Sequence, residues 1–280
     1  MIVLRSPADL PAAPGGVCIA LGMFDGVHLG HQHVIRQAQV EARILGARSV
    51  VATFDPHPLA VVAPAKAPRL LQTPAQRLRA IAGLGIDAAL VLSFDAALSR
   101  VPGEEFVRRL AAGFGRLRSF TVGQGFHFGH QRSGNVPLLR TLGRELGFTV
   151  HPMAPVSIGS EAVSSTRVRT ALREGRLALV AELLARPYAI SGRVLAGDRL
   201  GRQLGFPTAN LELAGLELPP AGVYAGRVRL DGRDFLAAMN LGRRPTLRGR
   251  EPELRCEAHL LDYAGDLYGR ELEVEVLRLL

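Results

Sequence analysis

Between residues 17 and 153, short β-branched or apolar runs alternate with longer segments of helical periodicity, and few folds accommodate that alternation. Parallel strands need a crossover of a dozen or more residues, usually a helix, so the pattern predicts an α/β layer built on a parallel sheet. Strands are expected at residues 17–22, 49–54, 88–92, 119–122 and 148–153, with helices near 31–45, 74–84, 103–112 and 138–146. Thr73 followed by Pro74 is a good cap and first-turn pair for the second of these helices.

A further helical stretch at 165–184, interrupted at Glu174-Gly175, runs into Arg186-Pro187, and proline disfavours helical backbone in the residue before it. After Tyr188 the pattern changes to short strands separated by Gly, Pro and Asp, at 189–194, 223–230, 235–241, 254–261 and 272–277. This half reads as a small antiparallel β-barrel. The boundary is therefore expected between an α/β domain at 1–185 and a barrel domain at 186–280, and 280 residues suit two moderate domains.

Composition removes several classes. Hydrophobic residues at 48% and charged residues at 21% disfavour disorder and fibrous folds. Cys18 and Cys256 are too few and too far apart for a disulfide framework or a thiolate metal site, which fits a reducing cytoplasm. No apolar run reaches the roughly 18–20 residues of a membrane helix, and the first residues lack a signal-peptide layout, so neither membrane nor export is expected. The formal charge of +9 raises nucleic acid as a partner, but only Lys66 among the 34 basic residues is a lysine and the arginines are scattered. That spread argues against a phosphate-backbone footprint.

Directly after the first strand, Gly22-Met23-Phe24-Asp25-Gly26-Val27-His28-Leu29-Gly30-His31 leads into a helix. Such a junction offers free backbone N–H groups and the positive end of a helix dipole to a phosphate. Gly30 lets a triphosphate come close to the backbone, and His28 and His31 can stabilise charge developing on an α-phosphate. Late in the same half, Ser164-Ser165-Thr166-Arg167-Val168-Arg169 places hydroxyls at an N-cap and two arginines in the first turn, suited to outgoing phosphates or simply to capping.

Together these motifs resemble the nucleotidyltransferase superfamily marked by H-x-G-H and a late basic Ser/Thr loop, and more narrowly bacterial FAD synthetases with G-x-F-D-G-V-H-L-G-H and S-S-T-x-V-R. The resemblance implies a Rossmann-like domain that transfers AMP from ATP to FMN, with His28 and His31 catalytic. It assigns Gly22, Phe24, Asp25, Gly30, Ser164, Thr166 and Arg169 to ATP and its phosphates. Asp55, His57 and Pro58 after the second strand, and Gly123 and Phe126 after the fourth, fall to the flavin or phosphate side. The chain departs from the family at Met23, usually Asn, at Gly125, usually acidic or amide, and at His127, often Arg.

In the second half, residues 197–210 carry three glycines at four-residue spacing and end in Pro207-Thr208-Ala209-Asn210. The run resembles the riboflavin kinase signature G-D-x-L-G-R-x-L-G-F-P-T-A-N. That resemblance implies ATP binding by Gly197, Leu200, Gly201, Gly205, Phe206 and Pro207, and Mg²⁺ on the neutral oxygens of Thr208 and Asn210. It makes Glu257, in Glu257-Ala258-His259, the general base that takes the proton of the ribityl 5′-hydroxyl, with His259 on the same side of the strand as support. Alternation alone leaves Glu257 equally readable as an outward charge on a barrel strand.

The two resemblances span nearly the whole chain and imply a cytoplasmic bifunctional riboflavin kinase and FMN adenylyltransferase. The resemblance further implies ATP, riboflavin, FMN and FAD as substrates and products, small molecules as partners and Mg²⁺ as cofactor. Family members continue into a C-terminal helix that this chain, ending at Leu280, is expected to lack. Two other readings stand beside this one: a kinase whose adenylyltransferase site has decayed, and a basic nucleic-acid-binding module on an inert transferase fold.

Overall fold

The computed structural model describes residues 1–195, 208–213, 215–244 and 253–280. The chain forms two compact units, one of Met1–Pro68 with Arg77–Val163 and the other of Arg69–Gln76 with Ser164–Leu280.

The first unit holds a six-stranded parallel sheet of β1 (Ile2–Leu4), β2 (Val17–Leu21), β3 (Arg48–Asp55), β4 (Ala88–Ser93), β5 (Leu117–Gly123) and β6 (Thr149–Met153), in the order β1-β4-β3-β2-β5-β6. Every residue of β2 is buried, as expected of a central strand covered on both faces. Helices α1 (Leu29–Leu45), α2 (Pro58–Val62), α3 (Pro74–Ala82), α4 (Gly103–Phe114) and α5 (Val136–Leu146) follow or link these strands, and α3 belongs to this unit from Arg77 onward. The expected strands are all present. β1 is an addition that periodicity does not reveal, because only Leu4 of its three residues is buried.

Sheet order fixes where a ligand can sit. From β2 the chain winds outward through β3 and β4, then returns to the other flank of β2 with β5 and β6, so the order reverses between β2 and β5. Loops at the carboxyl ends of strands around such a reversal form a crevice. The loops after β2, β3 and β5 all leave from that edge.

In the second unit, α6 (Ser165–Arg173) and α7 (Leu177–Leu184) precede a closed antiparallel barrel. Its strands are β9 (Tyr188–Leu195), β10 (Ala209–Leu211), β11 (Gly222–Leu230), β12 (Arg233–Arg244), β13 (Glu253–Leu260) and β14 (Glu271–Leu279), ordered β10-β13-β12-β11-β14-β9. A minor hairpin, β7 (Ser157–Ile158) with β8 (Glu161–Ala162), belongs to the first unit. Closure leaves no open sheet edge, and it depends on the three-residue β10, which pairs β13 on one side and β9 on the other. Gly192 permits the tight approach there, since a Cβ at that position would lie 2.2 Å from the carbonyl oxygen of Glu212. Alternate residues Tyr224, Val228 and Leu230 of β11 and Leu272, Val274 and Val276 of β14 fill the interior.

Candidate active sites

The loop between β2 and α1 is wound tightly. Phe24, Gly26 and Val27 have φ of 53°, 86° and 41°, and a positive φ is strained for a β-branched residue such as Val27. The turn aims His28 back at the start of α1. His28 is the N-cap: its Nδ1 accepts the His31 backbone N–H at 3.3 Å. With Nδ1 an acceptor, a neutral His28 carries its proton on Nε2, which becomes the donor of the ring.

The rings of His28 and His31 stack with centroids 3.6 Å apart, and the edge of Phe24 meets His31 at 5.3 Å. Gly30 lies against this pair, where a Cβ would stand 3.2 Å from both Cε1 and Nδ1 of His28 and 3.4 Å from the Val163 carbonyl oxygen. Asp25 and His28 are buried, and Gly22 gives its N–H to the Ala52 carbonyl at 3.1 Å.

At the end of β3, Asp55 is half-buried and His57 caps α2, its Nδ1 accepting the Leu59 N–H at 3.1 Å next to Pro58. After β5, the Gly123 carbonyl accepts from the Phe126 N–H at 2.9 Å, and Phe126 stacks on Phe128 with centroids 5.8 Å apart. Gly125 is exposed with open space around a Cβ. His127 Nδ1 lies 2.9 Å from the Gly125 carbonyl and 3.3 Å from the Arg132 guanidinium.

Two residues at this edge carry no assigned role in the sequence motifs, although Thr53 opens the segment that runs through Asp55 to Pro58. Thr53 gives its hydroxyl proton to the Met23 carbonyl at 2.9 Å, and Arg77, on α3, reaches the carbonyls of Met23 and Phe54. Burial pushes the Arg77 guanidinium below the usual arginine value, opposed by the charges of Asp25 and Asp55. An arginine in an amphipathic helix carries no sequence signal of such burial.

In the second unit, Ser164 caps α6, its hydroxyl accepting the Arg167 N–H at 3.2 Å, and Thr166 is exposed. Arg169 is buried and gives its Nε–H to the Arg69 carbonyl at 2.7 Å, so its guanidinium is held by backbone.

The barrel site is organised by strand register. Asn210 stands directly opposite Glu257, which stands opposite Asn240 on the next strand. Cys256, Ala258 and Ala209 point into the core, so Asn210, Glu257 and, two residues along β13, His259 lie on the outer face, all half-buried apart from the exposed Asn240. Asn240 joins this row by register alone. Thr208, two residues before Asn210 in extended chain, is half-buried as well. Gly197, Leu200, Gly201, Gly205, Phe206 and Pro207 lie outside the described residues.

Neutral oxygens at Thr208 and Asn210 beside the Glu257 carboxylate form a hard-donor set of the kind Mg²⁺ takes. Among the described residues no group of three or more His, Cys, Asp or Glu is placed to hold a metal. Both cysteines are buried and free, and burial, with the Glu257 charge adding, pushes the Cys256 thiol up to about 12.

Residues 10–167 match the family described as FAD synthetase, and residues 184–280 the family described as riboflavin kinase. The bifunctional riboflavin kinase/FMN adenylyltransferase of Escherichia coli (strain K12) is 40% identical over 280 residues, covering 99% of this chain and 88% of the relative. Its namesake from Pseudomonas fluorescens is 41% identical over 274 residues, covering 98% and 88%. A solved structure described as a macrolide-efflux protein from Streptococcus pneumoniae superposes with a TM-score of 0.83 at 28% identity, covering 100% of this chain and 90% of that one. Among the described residues no helix is long and apolar enough to cross a membrane.

Proposed function

The chain belongs to the bifunctional riboflavin kinase/FMN adenylyltransferase family, and from that premise we propose how its residues divide the two reactions. It is a transferase that phosphorylates riboflavin to FMN with ATP and adenylates FMN to FAD with release of pyrophosphate. We assign the second reaction to residues 1–185 and the first to 186–280.

In the barrel, Glu257 takes the proton from the ribityl 5′-hydroxyl as that oxygen attacks the γ-phosphorus of ATP and the bond to the β-phosphate oxygen breaks. Thr208 and Asn210 hold Mg²⁺, which when bound neutralises the phosphate charge that builds up during transfer. Asn210, directly across from Glu257, keeps metal and base on one face. The glycine-rich run at 197–207 is assigned to the nucleotide phosphates by its motif.

In the α/β domain, a phosphate oxygen of FMN attacks the α-phosphorus of a second ATP, and the bond to the bridging oxygen of the pyrophosphate breaks. Nε2–H of His28 donates to an α-phosphate oxygen, and His31 lies parallel to it, contributing from the first turn of α1. The loops at Asp55–His57 and Gly123–Phe126 receive FMN. Ser164, Thr166 and Arg169 are assigned to the ATP phosphates by their motif.

The observation that carries this reading is that each unit holds its own assembled pair, His28 with His31 and Asn210 with Glu257. Each pair lies within one unit. The same pairs weigh against a nucleic-acid-binding module and against a kinase with a decayed second site, because the histidine pair is complete. We further propose that the enzyme works in the cytoplasm on small molecules, with neither nucleic acid nor membrane as a partner. Chromatography of reactions started separately from riboflavin and from FMN tests the function: FAD is expected from both, and FMN without FAD would leave a kinase alone.

A further inference from the structure

β2 and β3 run as a ladder up to the pair Leu21↔Ala52 and then part. Beyond the last pair, the Met23 carbonyl on one side and the Phe54 carbonyl on the other have left the ladder between these strands. Arg77 fills the split: one terminal nitrogen donates to the Met23 carbonyl at 3.3 Å and the other to the Phe54 carbonyl at 2.9 Å. Its exposure is 3%, and its Nε is buried with no hydrogen-bond partner.

Burying a guanidinium is costly unless the geometry repays it, and an apolar residue would fill the same volume more cheaply. Here the fork does what no single donor can, since it bonds two carbonyls on diverging strands at once. One leads into the turn through Phe24 and Val27 that ends at His28, and the other precedes Asp55. Thr53 reinforces the same Met23 carbonyl from the side.

We infer that Arg77 is a positioning residue for adenylyl transfer, clamping the loop that carries His28 and His31 to the end of β3 so that the imidazoles meet the α-phosphate in one geometry. The inference rests on the proposed role of that loop. It places no Arg77 atom on the substrate.

The test compares Arg77→Met and Arg77→Lys with the parent chain in FMN-to-FAD conversion, with ATP-binding sites titrated in each preparation and riboflavin phosphorylation measured in parallel. Misplacing a catalytic group by about 1 Å costs on the order of 10²-fold. Arg77→Met is therefore expected to lower kcat per competent site by that order with KM for ATP little changed, while FMN formation persists. Arg77→Lys should recover part of the loss, because an ammonium reaches one carbonyl. A residue that merely supported folding would reduce the number of competent sites and leave kcat per site at the parent value, and that result overturns the inference. If neither Arg77 variant folds, Thr53→Val decides: removing one hydrogen bond to Met23 should lower kcat roughly tenfold, and an unchanged kcat overturns the clamp. Failure of the parent chain to convert FMN would instead remove the reading of the site itself, and the inference with it.

Discussion

The Nδ1 of His28 accepts the backbone N–H of His31 at 3.3 Å, so one imidazole both caps α1 and belongs to the candidate catalytic pair. Replacing His28 by alanine would mix two losses, since removing an N-cap costs about 1 kcal/mol of stability by itself.

Asparagine separates them. It is among the best N-cap residues but lacks a donor in the place of Nε2, so His28→Asn should keep the Tm near that of the parent. Adenylyl transfer should fall on the order of 10²–10³-fold, the usual effect of removing one transition-state donor, and riboflavin phosphorylation should be unchanged. Paired thermal melts and FMN-to-FAD assays check this, and a parallel loss of Tm and both activities would speak against it.

Gly30→Ala sets helix propensity against site geometry. Alanine in a helix is favoured over glycine by about 0.5–1 kcal/mol, yet the new Cβ would press on the His28 ring at 3.2 Å. The ring can shift by a few tenths of an ångström, so the expected outcome is an equal or higher Tm with a lower kcat for FAD formation. Calorimetry and initial rates on one preparation read both signs.

On the barrel, Glu257→Gln should abolish FMN formation and leave FMN-to-FAD conversion intact, because the amide cannot take the hydroxyl proton. Asn210→Ala, removing the partner across the strand pair, should raise the Mg²⁺ concentration needed for half-maximal kinase rate. Chelation should stop FMN formation in the parent, and added Mg²⁺ should restore it.

Acid stability is tied to Asp87. Burial works to raise its carboxyl, but hydrogen bonds from the Ser49 hydroxyl and backbone N–H, at 2.6 and 2.8 Å, together with Arg48, outweigh that and hold it below the usual value. A depressed folded pKa contributes stability that is present above the unfolded value of about 3.9 and lost as pH falls through the folded one. Asp87→Asn should therefore lower Tm at neutral pH, and the gap to the parent should close below about pH 4. Melts across that range check the sign.

The sheet, the barrel and the histidine loop were legible because each rests on a periodic or contiguous pattern. β1 and β10, at three residues each, are too short to carry a period, and β10 lies inside a motif read for its chemistry. Whether Glu257 mattered was not decided by alternation: the strand faces it outward like any solvated charge, and Asn210 opposite it comes from strand register. Arg77 was hidden for a related reason. Its burial arises where two strands part, a tertiary event with no trace in the spacing of α3.

If one chain carries two separate active sites, two variants that each lack one of them must complement each other. Equal amounts of the His28→Asn and Glu257→Gln variants are mixed with riboflavin, ATP and Mg²⁺, beside each variant alone, and the flavins are separated. FMN is expected from the first alone, no product from the second alone, and FAD from the mixture. FMN accumulating in the mixture without FAD, or FAD from either variant by itself, would contradict it.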